Sequence, residues 1–220
     1  MNGGPIVVYG AGGHGREVAA VIGALRAAGT GWELMGFLSD DLNDADRLVA
    51  GAAVLGGEAW LDQNPGIAVA IGIGSPAARR DVVRRIETRN VAFPSLVHPS
   101  AVVLERARIG PGVLVSAGAV VSVDVEVGPF SVVNVLASVS HDCQLGAFAT
   151  LAPRVALAGN TVVGEGADIG VGAVSIPSAK IGRWSIIGAG AVVLGEVPEH
   201  CTAVGVPARI IRHRPSQPGG

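Results

Sequence analysis

A six-residue repeat that runs from Val103 to Val193 constrains the fold more than any other feature of the sequence. Every sixth residue in this stretch is aliphatic, and Ser175 is the single exception among sixteen positions. The residue four places after each of them is small or β-branched in all sixteen cases. This period, with Gly, Asn and Asp in between, is typical of a parallel β-helix, in which three repeats form one triangular coil of 18 residues. Aliphatic side chains then point inward, and residues 18 apart lie one above the other.

The segment before the repeat alternates strand and helix signals, which predicts a mainly parallel, Rossmann-like α/β sheet. In chain order the predicted elements are a strand at 6–9, a helix at 16–28, strands at 34–38 and 67–73, a helix at 77–89 and a strand at 91–93. The sequence therefore predicts two domains. An α/β domain occupies residues 1–97, and an all-β helical domain with a short C-terminal tail occupies residues 98–220.

Composition excludes several classes of protein. The net charge of −2 gives no basic field of the kind that binds nucleic acid. Cys143 and Cys201 are too few and too far apart for a disulfide framework or a CxxC metal site. No run of 18 apolar residues could span a membrane, and the N-terminus lacks the regions of a signal peptide. We therefore expect a cytoplasmic protein without a metal.

His141 and Asp142 form the first candidate site. His141 falls two places after the inward Val139, at an outward position, and residues 127–140 carry no charged side chain. An imidazole beside a carboxylate is the arrangement of a general base held by an acid, and the alternative is a solvated surface pair. Gly159 lies one coil above His141, where its N–H could stabilise an oxyanion, unless it is only a turn residue.

The glycine-rich turn after the first strand is the second candidate site. Gly10, Gly12 and Gly15 satisfy GxGxxG between a strand and a helix, a pattern that brings backbone N–H groups close to phosphate. Asp40 ends the second strand, where its carboxylate could accept a hydrogen bond from a ribose or a base. NAD is the usual ligand of this motif, but the domain is half the size of a full dinucleotide fold, which favours a nucleotide-sugar diphosphate.

The second predicted helix carries five arginines at spacings that predict one exposed face. Such a face is typically solvated, with an anion or subunit contact as the alternative. The five are Arg79, Arg80, Arg84, Arg85 and Arg89. Cys143 falls at an inward corner of the repeat, and we predict a core residue there rather than a nucleophile.

Four motifs resemble the nucleotide-sugar acetyltransferase branch of the left-handed β-helix superfamily: GAGGHGREV after the first strand, SHDC in the middle coils, AGN one coil later and VGVPARII at the end. The resemblance extends over the whole chain and is strongest to the GDP-perosamine N-acetyltransferases of O-antigen and lipopolysaccharide biosynthesis. It implies left-handed coiling, acetyl-CoA as co-substrate, and a homotrimer with its sites between subunits. The implied reaction is N-acetylation of the 4-amino group of GDP-perosamine. Acetylation of a UDP-4-amino sugar and O-acetylation of sialic acid are the alternatives.

The resemblance also implies roles for individual residues. His141 is the implied general base, Asp142 orients it, and the Gly159 amide meets the oxyanion. Related enzymes often carry a second histidine where this chain has Thr150, which leaves His141 as the imidazole candidate of this region. The residues implied for the sugar nucleotide are Gly12, Gly13, His14, Gly15, Asp40 and Asn134. Those implied for acetyl-CoA, along one edge of the later coils, are Gly159, Val171, Gly172, Ala189 and Gly190.

Two other functions of a β-helix fit the sequence less well. A γ-type carbonic anhydrase needs three histidines that converge on zinc between subunits. Here the separations between His98, His141 and His200 do not match one coil. A scaffold or ice-binding prism would show flat threonine arrays, which the repeat lacks.

Overall fold

The computed structural model describes residues 3–44 and 47–214. The chain divides into two compact units, Met1–Pro99 and Ser100–Gly220. The boundary falls two residues beyond the one predicted from the sequence. Residues 215–220 of the predicted C-terminal tail lie outside the described residues.

The described part of the first unit is an α/β sheet with a helix after its first strand and a second after its fifth. Its elements are β1 Gly4–Tyr9, α1 Gly13–Ala27, β2 Trp32–Leu38, 3-10 turns at Leu42–Asp44 and Glu58–Gln63, β3 Leu48–Val49, β4 Ala52–Gly56, β5 Ala68–Ile71, α2 Pro76–Ile86 and β6 Leu96–Val97. The strand order of the sheet is β3-β4-β2-β1-β5. All neighbours pair in parallel except β3 and β4.

Local sequence explains where the two helices begin. Gly12 has extended backbone and caps α1, which therefore starts three residues earlier than predicted. The side chain of Ser75 caps α2 by accepting a hydrogen bond from the Ala78 N–H, and Pro76 takes the first helical position. The strand predicted at 91–93 is reduced to a single bridge between Ala68 and Ala92. Strand β3 has only two residues and β4 contains no polar residue, so neither shows an alternating period in the sequence.

The prediction of one exposed face for the five arginines is wrong for Arg79 and Arg80, whereas Arg84 and Arg85 are exposed as predicted and Arg89, beyond the end of α2, is partly buried. Arg79 and Arg80 are buried, with exposed fractions of 1% and 4%. Nη1 of Arg79 donates to the carbonyls of Ile73 and Gly74, at 2.8 and 2.9 Å. Residues three apart share a helical face, so positions 79 and 80 face inward together with Val82 and Val83, which are buried as well.

The second unit is a prism of three parallel sheets built from two-residue strands, each paired with the strand one coil before it and the strand one coil after it. Sheet I contains Val102–Val103, Val120–Val121, Ser138–Val139, Ala156–Leu157, Val174–Ser175 and Val192–Val193. Sheet II contains Arg108–Ile109, Glu126–Val127, Gln144–Leu145, Val162–Val163, Lys180–Ile181 and Glu196–Val197. Sheet III contains, within this unit, Leu114–Val115, Val132–Val133, Thr150–Leu151, Asp168–Ile169, Ile186–Ile187, Cys201–Val204 and the antiparallel Arg209–His213.

The sheets meet at corners, each a two-residue turn. Corner I/II joins sheets I and II and contains residues 141–142 and 159–160, while corner III/I contains residues 171–172 and 189–190. The N–H of the second turn residue donates to the carbonyl of the first turn residue one coil below. The N–H of the first turn residue takes no part in these bonds. Proline, which has no N–H, can therefore occupy that position, and it does so at Pro111, Pro129, Pro153 and Pro177.

The core of the prism is the aliphatic stripe that the repeat predicts. The inward positions from Val115 to Val193 are all buried, including Ser175. Val103 and Ile109, at the first coil, are only partly buried.

Candidate functional site

His141 and Asp142 are the two turn residues of corner I/II. Nδ1 of His141 lies 2.7 Å from Oδ2 of Asp142, and both side chains are about half exposed. Asp142 adopts a left-handed backbone conformation with φ of 60°, which Asp tolerates better than most residues. The structure therefore brings together the imidazole and carboxylate that the sequence pairs.

Gly159 lies against the imidazole ring of His141 from one coil above. A Cβ atom at residue 159 would stand 2.5 Å from both Cε1 and Nε2 of the ring, and 3.1 Å from Nδ1. Its backbone is not in the left-handed region, so glycine is needed here for space rather than for conformation. The stacking of successive coils thus determines which backbone segment faces the imidazole.

The hydrogen bonds of this corner leave the Gly159 N–H available. Asn160 donates its N–H to the carbonyl of His141 at 3.0 Å, and the Gly159 carbonyl accepts from the N–H of Ser178 at 2.9 Å. The Gly159 N–H occupies the position at which proline occurs in other corners, and it has no acceptor among residues 3–44 and 47–214. An exposed imidazole and a free amide donor therefore lie side by side.

The glycine-rich turn of the α/β unit contains two kinds of glycine. Gly10 and Gly15 pack closely: a Cβ at Gly10 would lie 2.7 Å from the carbonyl oxygen of Gly72, and one at Gly15 would overlap the carbonyl oxygen of Gly10. Gly12 and Gly13 face open space, with nothing within 4 Å of a Cβ at Gly12. The close glycines let α1 pack on the sheet, and the open ones expose the N-terminus of that helix.

His14 stands in the first turn of α1. Its Nδ1 lies 3.0 Å from Oε2 of Glu17. Its Nε2 is buried and has no hydrogen-bond partner in the part of the chain that the structure describes. Buried polar atoms are usually hydrogen-bonded, so this nitrogen is a natural partner for a ligand at the helix N-terminus.

Asp40 is held in a network that spacing alone does not reveal. Tyr9 donates its hydroxyl to Oδ1 of Asp40 at 2.6 Å, and Arg85 donates to Oδ2 at 2.5 Å. Arg85 also pairs with Glu58 at 3.2 Å. Burial, and secondly the hydrogen bond to Asp40, raise the pKa of Tyr9 above its ordinary value. A ribose hydroxyl would have to use the lone pairs that these bonds leave free.

Solved structures of known proteins share both units of this chain. The acetyltransferase domain of PglB from Neisseria gonorrhoeae FA1090, in complex with acetyl coenzyme A, is 34% identical with a TM-score of 0.88, over 95% of this chain and 100% of that one. PerB from Caulobacter crescentus, in complex with CoA and GDP-perosamine, is 37% identical with a TM-score of 0.85, over 94% and 97%. WeeI from Acinetobacter baumannii AYE is 31% identical with a TM-score of 0.86, over 94% and 99%.

Residues 5–86 match the PglD N-terminal domain family. No curated protein sequence matches the chain significantly. The chain belongs to the nucleotide-sugar acetyltransferase branch of the left-handed β-helix superfamily. This membership confirms the fold class and the enzyme class that the sequence predicts.

The residues predicted to bind acetyl-CoA in this acetyltransferase do not share one edge. Val171, Gly172, Ala189 and Gly190 stack at corner III/I, where the Gly190 N–H donates to the Val171 carbonyl at 2.8 Å. Gly159 stands at corner I/II. Residues share an edge only when whole coils separate them, and Gly159 and Val171 are two thirds of a coil apart. The prediction that these residues lie along a single edge of the same chain is therefore wrong.

Two further predicted positions lie away from His141 in the acetyltransferase. Thr150 is buried in sheet III, between Val132 and Asp168 of the neighbouring strands. Oδ1 of Asn134 accepts a hydrogen bond from the adjacent Val135 N–H at 2.7 Å. Within one chain, neither is placed beside the imidazole.

The cysteines of the acetyltransferase are core residues. Cys143 is fully buried, as predicted, and donates its Sγ–H to the Ala158 carbonyl at 3.2 Å. Burial raises the pKa of this thiol, which keeps it protonated. Among the described residues no group of three or more His, Cys, Asp or Glu could hold a metal ion. Within the same residues no helix is long and apolar enough to cross a membrane.

Proposed function

We propose that this enzyme transfers the acetyl group of acetyl-CoA to the 4-amino group of a nucleotide-linked dideoxy sugar in the cytoplasm, with GDP-perosamine as the substrate. The observation that carries the proposal is the contact between the His141 imidazole and the Gly159 backbone. The complexes of PglB with acetyl coenzyme A and of PerB with CoA and GDP-perosamine support it, because these proteins are 34% and 37% identical to this chain. UDP-linked 4-amino sugars and sialic acid are the alternative acceptors.

The geometry supports direct attack of the amine on the thioester. Asp142 accepts a hydrogen bond from Nδ1–H of His141, which leaves the lone pair on Nε2 free to act as a base. As the C–N bond forms, Nε2 takes a proton from the amine and the Gly159 N–H stabilises the oxyanion. The C–S bond then breaks, CoA leaves as the thiolate, and the proton held by His141 passes to it. Cys143 forms no acyl-enzyme because its thiol is buried and protonated.

The α/β unit is the proposed site of the nucleotide diphosphate. The N-terminus of α1 carries partial positive charge and free N–H groups, which bind phosphate. Gly12 and Gly13 leave this terminus open, and the buried Nε2 of His14 offers an additional polar contact. Asp40 and Asn134 remain predicted sugar-nucleotide contacts.

The outer face of sheet I supports a homotrimer. It presents exposed valines at 102 and 120 and partly buried ones at 174 and 192. The outer face of sheet II presents charged residues instead, among them Arg108, Glu126 and Lys180. Sheet I lies between the corner that carries His141 and the corner that carries Val171. If sheet I packs against a second copy of the chain, corner I/II of one subunit lies close to corner III/I of its neighbour. Gly159 of one subunit and Val171 of the neighbour would then face the same site.

A panel of acceptors tests the proposed function. The enzyme is incubated with acetyl-CoA and, in turn, GDP-perosamine, a UDP-4-amino sugar and sialic acid, while a thiol reagent follows the release of CoA. We expect the fastest release with GDP-perosamine and an N-acetylated product by mass spectrometry. Faster release with a UDP sugar or sialic acid would select that alternative, and no release with any acceptor would refute the acetyltransferase reaction.

A further inference from the structure

The one position that breaks the aliphatic stripe lies inside the prism, one coil above the turn that carries the proposed oxyanion donor. Ser175 occupies an inward position of sheet I and is buried. Elsewhere in this sheet the residue after a strand donates its N–H to a backbone carbonyl of the next coil, as Ser140 does to Leu157 at 3.0 Å. The N–H of Ala158 donates instead to the hydroxyl oxygen of Ser175, at 3.0 Å.

Thr161 closes this bond into a ring. Its Oγ1 lies 2.7 Å from the carbonyl oxygen of Ala158 and 2.9 Å from Oγ of Ser175. When Thr161 donates to the carbonyl, Ser175 donates to Thr161, and the Ala158 N–H donates to Ser175, so that each group donates once. Cys143 donates to the same carbonyl at 3.2 Å. Three buried side chains thus hold both polar backbone groups of Ala158.

The carbonyl of Ala158 and the N–H of Gly159 belong to the same peptide group. A trans peptide is planar, so its N–H points opposite to its C=O and the direction of one determines the direction of the other. Hydrogen bonds accepted by the carbonyl also polarise the peptide, which strengthens its N–H as a donor. The contacts on Ala158 therefore act on the amide that faces His141.

We propose that Thr161, Ser175 and Cys143 are positioning residues for acetyl transfer, which aim and polarise the Gly159 N–H toward the developing oxyanion. The inference rests on the proposed function. The three residues are buried in the interior of the prism, so they act through the peptide and not by contact with substrate. An aliphatic residue would serve the core at position 175, as it does at the other fifteen equivalent positions, and only the hydroxyl supplies these bonds.

Two substitutions remove the hydroxyls and fit the repeat. Thr161→Val places at 161 the residue found at the equivalent positions 113, 125 and 155, and Ser175→Val restores the aliphatic stripe. We expect each to lower kcat by about tenfold, less than the loss of a whole oxyanion donor, because the N–H is loosened rather than removed. KM for both substrates should be unchanged. Ser175→Val should also raise the unfolding midpoint, since its valine allows the regular backbone bond and fills the core.

Two further variants, Thr161→Ser and Ser131→Ala, distinguish a positioning role of the hydroxyl from an effect on stability alone. Thr161→Ser keeps the hydroxyl and should restore kcat. Ser131→Ala removes another fully buried hydroxyl, which donates to the Gly146 carbonyl at 2.9 Å, and should leave kcat unchanged. An unchanged kcat in Thr161→Val would overturn the proposal. Equal losses in Thr161→Val and Ser131→Ala, or losses that follow the unfolding midpoint, would overturn it as well.

A readout that needs no turnover keeps this inference separate from the proposed function. In protein labelled with 15N-glycine, the amide resonance of Gly159 reports the hydrogen bonding of the Ala158 carbonyl. We expect it to shift in Thr161→Val and to stay in place in Ser131→Ala. Absence of wild-type turnover with every acceptor would refute the proposed function, whereas an unmoved Gly159 resonance in Thr161→Val would refute the positioning role.

Discussion

The two candidate sites use glycine for opposite purposes. At corner I/II of the β-helix, Gly159 provides room for the His141 ring, and the chemistry belongs to one side chain and one amide on a rigid ladder. In the turn of the α/β unit, Gly12 faces open space and leaves the helix N-terminus exposed to a ligand. Substitutions in the first region should therefore change kcat, and substitutions in the second should change binding.

The largest effect is expected from removal of the base. We predict that His141→Asn lowers kcat by about 10²–10⁴-fold, the usual contribution of a positioned proton acceptor. Some turnover should remain, because a neutral amine is a good nucleophile and stays in place beside the thioester. The affinity for acetyl-CoA, measured by calorimetry, should be unchanged.

The pH dependence provides the control for this substitution. The pH profile of the rate should differ between the wild type and His141→Asn, because the substitution removes the group that accepts the proton of the amine. A variant with full rate and the same pH profile would show that His141 is not the base.

The next largest effect is expected from Gly159→Ala. The added Cβ would meet the imidazole at 2.5 Å and displace it, although the backbone conformation suits alanine. We predict a loss in kcat of about 10²-fold, typical of a misplaced catalytic group. Gly195→Ala is the matched control because nothing lies within 4 Å of its Cβ. Equal activity in both variants would show that the imidazole does not act from this position.

A charge on sheet I should dissociate the proposed trimer. Val120 on sheet I and Val162 on sheet II have nearly the same exposed fraction, 37% and 38%. Val120→Asp would bury a charge in the interface and leave it unpaired, which is strongly unfavourable, whereas Val162→Asp would keep its charge in solvent. Light scattering should show a trimer for the wild type and for Val162→Asp, and smaller species with lower activity for Val120→Asp. A monomeric wild type would contradict this prediction.

The smallest effect is expected from Gly12→Val, which acts on binding alone. Its side chain meets open space in the free protein, so the fold should persist while the phosphates are kept from the helix N-terminus. We predict a rise in KM for the sugar nucleotide of about tenfold, equivalent to the loss of about one hydrogen bond to a charged group. The affinity for acetyl-CoA should be unchanged.

Gly15→Ala is the control for this turn and should instead lower the unfolding midpoint, because its Cβ overlaps the Gly10 carbonyl. Tight binding of free NAD would contradict the assignment of this turn.

The β-helix could be predicted nearly residue by residue because its period assigns each side chain a sheet, a corner and a direction. The inward Val139, the outward His141 and the stacking of Gly159 on it all follow from the spacing. The same rule excludes a single edge for Gly159 and Val171, since these positions are two repeats apart and a full coil needs three. Implied family roles led to that wrong prediction, and the spacing alone would have corrected it.

The α/β unit was less predictable because its contacts join residues with no regular spacing. The network of Tyr9, Asp40 and Arg85 spans 31 and 45 residues of sequence and leaves no periodic signal. Burial of Arg79 and Arg80 escaped prediction for a related reason. A helical period shows which residues share a face, and only the packed structure shows which face turns inward.

The prolines of the prism restrict where a reaction can occur along an edge. On the edge that carries His141 and Gly159, the next first-turn residue is Pro177, which has no N–H to offer. A thioester bound one coil too high would therefore meet no amide, and its carbonyl oxygen would gain no stabilisation. A repeating scaffold offers nearly identical surroundings at every coil, and in this chain the absence of a single hydrogen atom at Pro177 helps to make one level of the stack different from the next.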